Sequence, residues 1–450
     1  MNRYCTNSFL ELFSLVCLTL FLFLLVGTSG WGQPSESLPL DSTLHSARLD
    51  VNYLTSPELA GRGYTQAGHI QAADYISKRF QELGLREVAG KHFQPFTVTV
   101  DTFTRPPTLT IDSVRIEFGK DFILNPGNAG GEKKKLAILR VGSGLRIDGK
   151  IDDYKGVSAK GKLVVIESTI PDSISADTTI PRDFLDRDFR IAYALRAGAE
   201  GVALLVDRPT YGNFFEQWPK PLFEINRSSL SSTVERASYS VQRQGNVQVT
   251  TQNVLGILPG TGETDSIIII CGHYDHLGSV GDSIFFPGAN DNASGIAMML
   301  ALAKAFAENP IKYQILFVAL SGEEIGLRGS KFFAENSPVD LKRVRFLINL
   351  DMVASGIDGV MAVGGVEYPE EFSLLREVAD SLGINDLRKR ANAPNSDHWF
   401  ILKEGVRGFY IYPFVGHQPY HHINDLPETL QWETFRKMYN LIGTFVRMLK

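Results

Sequence analysis

The stretch from Ile267 to Gly295 constrains the fold of this chain more than any other. An apolar run, Ile267 to Cys271, reads as a buried strand, and it delivers His273, Asp275 and His276 at its exit. Asp291 follows in a Gly/Asn-rich turn, and Ile296, Met299, Leu300, Ala303 and Phe306 then recur at helical spacing. A strand ending in His-x-Asp, with an Asp at the next helix entrance, sets an imidazole and a carboxylate on one rim. That is the donor chemistry a metal site needs.

Two later stretches repeat the arrangement. Ile315 to Leu320 is apolar and empties into Ser321-Gly322-Glu323-Glu324, and Phe346 to Met352 is another such run, with Asp351 near its end. In an open, mostly parallel α/β sheet, sites collect outside the carboxyl ends of the strands. Strands ending in His, Glu-Glu and Asp argue for one shared site, with a fifth ligand expected from the His-rich loop Gly416 to His422. A bare Glu-Glu pair is usually solvated surface. Here it follows an apolar strand and precedes Ile325-Gly326 at an expected helix start, which favours a functional pair.

Jointly, GHYDH, GANDNASG, SGEE, NLDM and YHHIND resemble the M28 zinc peptidases, in that family's order, with motifs from about Leu54 to the C-terminus. The resemblance implies an α/β fold: a mixed, mostly parallel sheet flanked by helices, of the zinc-dependent exopeptidase type. It also implies two zinc ions per chain. Carried over residue by residue, it makes His273 and Asp351 ligands of one zinc and Glu324 and His421 ligands of the other, with Asp291 bridging them. Glu323 becomes the catalytic carboxylate, and Asp275 orients His273 from behind. The family often has Thr or Ser and then Pro after the last His; His422 and Ile423 stand there instead, so His421 and His422 both remain candidates. In some relatives a Tyr before that His donates to the transition-state oxyanion, and Tyr420 is open to this role or to simple packing. His276 reads as a hydrogen-bonded neighbour of the ligands rather than a sixth ligand.

The rest of the chain supplies the setting. Residues 1–32 form a secretory signal pattern, with Arg3 ahead of the apolar core Phe13 to Val26 and small residues at Gly27, Ser29 and Gly30. Cleavage there would remove Cys5 and Cys17, leaving Cys271 alone in the mature chain and no intrachain disulfide. A secreted or periplasmic protein without stable membrane insertion is expected. Net charge −5 gives no sign of a nucleic-acid partner, and Lys133-Lys134-Lys135 reads as a solvated loop. Residues 45–100 are expected to open the catalytic domain, with Ala73, Ile76, Phe80 and Leu83 on a helix that stops at Gly84 and His69 on its surface. Residues 101–252 lack the motifs. Their strand-rich pattern, with Val157 to Thr169 and Ile191 to Asp207, resembles the protease-associated (PA) domain inserted in several secreted M28 enzymes. The catalytic domain resumes over 253–450.

Peptides are the expected substrates, cut from the amino end. Two alternatives stand beside the aminopeptidase. A glutaminyl cyclase-like acyltransferase shares much of the ligand set but works with a single zinc. A carboxypeptidase would need Arg to grip a terminal carboxylate, and Arg is scarce around the ligand stretches, with Arg328, Arg390 and Arg407 as candidates, unless the insert lends Arg182, Arg187 or Arg190. H-E-x-x-H and G-x-S-x-G are absent, and Ser396-Asp397-His398 by itself does not make a serine-hydrolase triad.

Overall fold

The apolar runs become the middle of an eight-stranded sheet, in the order Phe93–Phe103, Arg243–Leu258, Gln314–Leu320, Ile267–His273, Val344–Leu350, Gly408–Pro413, Val360–Val363, Leu387–Arg390. The four central strands, Gln314–Leu320 through Gly408–Pro413, run parallel, so their carboxyl ends share one edge. Parallel strands covered on both faces need apolar side chains on both faces, which is why these runs do not alternate. This computed structural model describes residues 40–212, 216–282, 284–356, 359–414 and 419–450. The expected signal segment, with Cys5 and Cys17, and Gly416, His417 and Gln418 of the expected ligand loop lie outside the described residues.

Period-2 geometry sends Ile267, Ile269 and Cys271 to one face, where they join Phe333 and Ala334 of helix Arg328–Glu335 and Ile401 of helix His398–Lys403. On the other side, helix Ser294–Glu308 is apolar almost all round because helices Leu40–Leu54 and Trp432–Met448 cover what the sheet does not. Cys271 is a core residue, as expected, with its thiol 3.4 Å from Asn349 Oδ1. Helix Gly68–Glu82 buries Ala72, Ala73, Ile76 and Phe80.

Between the two long antiparallel strands Phe93–Phe103 and Arg243–Leu258, the chain forms a second eight-stranded sheet. Its strands Gly131–Arg140, Leu163–Glu167, Gly201–Val206 and Leu222–Asn226 pair in parallel, and helix Arg187–Arg196 packs on them. Lys133-Lys134-Lys135 lies in this sheet rather than in a loop: Lys134 and Lys135 are exposed on their strand, and the half-buried Lys133 pairs with Glu200 at 3.1 Å.

Arg62 fixes the floor on which the sheet edge rests. Fully buried, it uses all five donors on main-chain carbonyls: Nε to Tyr274, Nη1 to Leu54 and Pro287, and Nη2 to Gly288 and Asp291, at 2.6–3.3 Å. It ties the end of the first helix to the segments that carry His273 and Asp291. Arg62→Leu should lower the unfolding free energy by about 3–5 kcal/mol, because it strands buried acceptors and removes a buried cation. The urea midpoint at unchanged slope measures this; a loss under about 1 kcal/mol would mean that the carbonyls find other partners.

Candidate metal centre

His273 ends its strand with Nδ1 3.1 Å from the carbonyl oxygen of Asp275. A carbonyl only accepts, so Nδ1 carries a hydrogen and Nε2 faces inward, 3.4 Å from Asp291 Oδ1 and 3.5 Å from Asp351 Oδ1. Asp275 thus braces the imidazole through its main chain. Its carboxylate, 3.9 Å from Nδ1, instead accepts from the Tyr64 hydroxyl at 2.9 Å and from the N–H groups of Glu323 and Glu324. The side chain expected to orient the His orients the Glu-Glu turn.

Asp291 divides its two oxygens. While Oδ1 faces His273, Oδ2 lies 3.1 Å from His421 Nε2. Glu324 Oε2 is 3.2 Å from the same nitrogen, and Glu324 Oε1 accepts from His276 Nδ1 at 2.7 Å. His276 therefore stands behind Glu324, as the sequence suggested. Of the two candidate histidines, His421 joins this cluster. His422 turns away, with Nδ1 accepting from the Asn424 N–H at 3.1 Å, and burial and Arg208 lower its pKa. The Tyr420 ring stacks on His421 with centroids 3.7 Å apart.

Burial disfavours a charged His421, but Glu324 and Asp291 outweigh it and hold the imidazole well above its ordinary pKa. Burial likewise opposes ionised Asp291, yet the hydrogen bonds from His273 and His421 hold it well below the carboxylate range. These nitrogens and oxygens approach one another at 3.1–3.5 Å and leave room for cations between them. A metal ion competes with protons for such a set, and mixed His nitrogen and carboxylate oxygen suits zinc. Two donor groups can be drawn, His273 with Glu323 and Asp351, and His273 with Asp291 and Glu324, the atoms of each lying within 4.8 Å of one another. Glu323 is half-buried. Burial pushes its pKa well above the ordinary range; His273 opposes this, while Glu324, Asp351 and Asp397 add to it.

Supporting residues extend the site beyond those expected. Asn292 is fully buried and uses its whole amide: Nδ2 donates to the carbonyls of His273 and Leu350, and Oδ1 accepts from the N–H groups of Gly295 and Met352. One side chain thereby joins two strand exits to the helix entrance. Asp425 accepts from the N–H groups of Asn290 and Asp291 at 2.9 and 3.0 Å. Ser396 donates to Asp351 Oδ2 at 2.7 Å, so its hydroxyl is committed to an expected ligand, and Asn349 donates to Ser396. The Asn beside Asp291 and the Ser-Asp-His motif were visible signals for Asn292 and Ser396. Arg62 and Tyr64 gave no comparable signal of contact with residues more than 200 positions away.

His69 corrects an expectation. It is buried rather than on the helix surface, with Nδ1 2.9 Å from the Gly63 carbonyl and Nε2 3.3 Å from that of Thr250, because strand Arg243–Leu258 runs across the helix start. Five of the six arginines that could have gripped a terminal carboxylate have other partners, whereas the Nε of Arg390 is buried without a hydrogen bond. Arg187 pairs with Glu216 and Glu224, Arg190 donates to the carbonyls of Ser143, Glu167 and Ser168, and Arg407 binds Glu371. Arg182 and Arg328 donate to the carbonyls of Ser175 and Ile325.

Residues 253–446 match the family model described as Peptidase family M28. Aminopeptidase YwaD of Bacillus subtilis (strain 168) is 29% identical over 194 residues, 41% of this chain and 41% of that protein. A probable zinc metalloprotease of Pyrenophora teres f. teres (strain 0-1) is 36% identical over 134 residues, 28% and 27% of the two chains. The matched part thus spans less than half the length of these relatives. The solved structure of BSAP, a zinc aminopeptidase from Bacillus subtilis, has a TM-score of 0.66 at 21% identity, covering 91% of this chain and 95% of that one. An aminopeptidase from Aneurinibacillus sp. strain AM-1 gives 0.60 at 21% identity, covering 90% and 93%. These likenesses establish the mixed α/β fold with helices flanking the sheet.

Because Asp291 alone faces both imidazoles, Asp291→Ala should lose more zinc than Glu324→Ala or Asp351→Ala. Elemental analysis of the purified variants decides it, and full zinc in Asp291→Ala would remove that residue from the centre.

Proposed function

We propose, on the premise that residues 253–446 belong to peptidase family M28, that this chain is a two-zinc aminopeptidase. The observation that carries the reading is the division of Asp291 between His273 and His421, with Asp351 beside the first imidazole and Glu324 beside the second. His273, Asp351 and one oxygen of Asp291 would hold one ion; His421, Glu324 and the other oxygen would hold the second. Bound there, zinc would polarise the scissile carbonyl and bring the ionisation of attacking water towards neutral pH.

The remaining work falls to side chains. Glu323 holds its carboxylate among the donors of His273 and Asp351, backed by the Asp275 carboxylate that accepts its N–H. It takes a proton from the attacking water and returns it to the leaving amine, so one carboxylate serves as base and then as acid. The Glu323, Glu324, Asp291 and Asp351 carboxylates attract the free α-ammonium of a peptide. The prior engagement of Arg182, Arg187, Arg190, Arg328 and Arg407 leaves Arg390 alone of the six expected arginines for a carboxylate grip, which weighs against the carboxypeptidase alternative. Of the expected insert 101–252, the part between strands Phe93–Phe103 and Arg243–Leu258 makes a PA-like wall over the cleft, a reading supported by its parallel strands and the helix Arg187–Arg196. The N-terminal apolar stretch supports export to a secreted or periplasmic location. Among the described residues no helix is long and apolar enough to cross a membrane.

Glu323→Gln should keep its zinc and fold while losing about 10²–10⁴-fold in kcat, since an amide can hold water but cannot take its proton. Near-normal kcat at full zinc content would exclude Glu323. Two zinc ions per chain would separate the peptidase from a single-zinc acyltransferase.

The choice of peptide end has its own check. Leu-p-nitroanilide should be cleaved faster than its N-acetylated form and faster than an N-blocked dipeptide with a free carboxylate. Faster turnover of either blocked compound would overturn the aminopeptidase assignment and leave the zinc hydrolase standing.

A further inference from the structure

The second sheet supplies none of the expected ligands, yet it touches one of them. Between its strands Gly201–Val206 and Leu222–Asn226, Tyr211 donates its N–H to the carbonyl of His421 at 3.2 Å. Gly212 lies against the His421 ring: a Cβ built there would stand 3.0 Å from Nδ1, 3.3 Å from Cε1 and 2.5 Å from Leu277 Cδ2. Its φ of +110° also favours glycine. His421 itself has φ +52°, a left-handed conformation that non-glycine residues hold only when their surroundings impose it.

The insert is built to impose it. Gly212 donates its N–H to Asn125 Oδ1 at 3.0 Å, and the Asn125 amide holds Glu216, which Arg187 also binds. Thr210 donates its N–H to Glu224, the second partner of Arg187. Asn125 and Glu216 are buried, so this polar frame is stiff rather than solvated. On the catalytic side the Tyr211 ring stacks on Phe286, with centroids 4.5 Å apart and planes 10° from parallel. Tyr211, Leu277 and Phe286 belong to one apolar core with Phe118, Phe122 and Phe223 of the insert. His421 thus sits between the Tyr420 ring and the insert backbone.

We propose that the insert completes the metal centre: its Tyr211–Gly212 segment is a positioning element that seats His421 against Asp291 and Glu324. The proposal rests on His421 being a zinc ligand. Removing or shifting this segment lets the left-handed turn relax and swings Nε2 away from the two carboxylates, while His273, whose brace comes from its own strand exit, is unaffected.

The test uses the full chain and zinc affinity measured by chelator competition, with near-ultraviolet circular dichroism as the check on folding. Gly212→Ala should bind zinc about 10–100-fold more weakly, the range expected when the support of a metal ligand is disturbed. Gly149→Ala in the same insert is the control for backbone strain, since its φ is +73° but a Cβ there meets nothing within 4 Å; its zinc affinity should be unchanged. His421→Ala sets the scale. If Gly212→Ala does not fold, Asn125→Ala, which removes the acceptor for the Gly212 N–H without adding bulk, takes its place with the same expected direction. Wild-type zinc affinity in the folded insert variant, with zinc lost in His421→Ala, overturns the positioning role and leaves His421 a ligand. Equal weakening in Gly149→Ala also overturns it. Full zinc retention in His421→Ala defeats the ligand assignment itself.

Discussion

The carboxylates of Asp275, Asp291, Glu324, Asp351, Asp397 and Asp425 are nearly sealed from solvent around the carboxyl edge of one sheet. An ionised carboxylate in such a place costs several kcal/mol unless it is paired or hydrogen-bonded. Much of the surrounding architecture answers that cost. Asp275 accepts from Tyr64 and two main-chain N–H groups, Asp425 accepts from two more, and Asp351 accepts from Ser396. Arg62 is buried among them, and desolvation pulls its guanidinium down to about 10 against the attraction of Asp291, Asp425, Asp275 and Glu324. Asp397 goes unanswered, and burial pushes its carboxyl up to about 7, while Asp291, Glu324 and Asp351 are left beside two imidazoles. Cations with nitrogen and oxygen affinity fit that remainder.

The strand exits were legible because they combine two short-range signals, a continuous apolar run and an abrupt His, Glu or Asp. Period and spacing suffice to put His273, Glu323, Glu324 and Asp351 at one edge once the strands are parallel. The supporting contacts were not legible, because sequence pattern carries no record of which distant carbonyl a side chain will meet. Arg62 reaches Tyr274 across 212 positions, and His69 reaches Thr250 across 181. His69 looked like a surface residue on an amphipathic helix because the strand that covers it arrives only after the whole insert. Asp275 shows a finer limit. Its proximity to His273 could be read, but whether carbonyl or carboxylate faces the ring depends on the turn that Glu323 and Glu324 make around it.

Asn292 shows how a polar residue can do in a core what apolar packing cannot. Apolar contacts tolerate small slides, whereas an amide with all four hydrogen-bonding positions used fixes direction as well as distance. The exits of strands Ile267–His273 and Val344–Leu350 and the start of helix Ser294–Glu308 meet at that one side chain. Close approach is part of the same device: a Cβ on either Gly272 or Gly295 would lie 2.5 Å from the carbonyl oxygen of Leu350. His273 and Asp351 are therefore placed by the sheet itself, with little freedom to move apart.

His421 is held by different means. It lies outside any strand, its backbone is left-handed, and its contacts come from Tyr420 beside it and from Tyr211 and Gly212 of the insert. The two imidazoles that share Asp291 are thus supported differently, one at its own strand exit and one by Tyr211 and Gly212 of the insert. With His421 as a ligand, affinity on that side would be coupled to the contacts that hold the insert in place, including the shared core of Tyr211, Leu277 and Phe286. An insertion that contributes no ligand can govern a metal centre in this way, because position, and not only donor identity, decides whether a nitrogen binds.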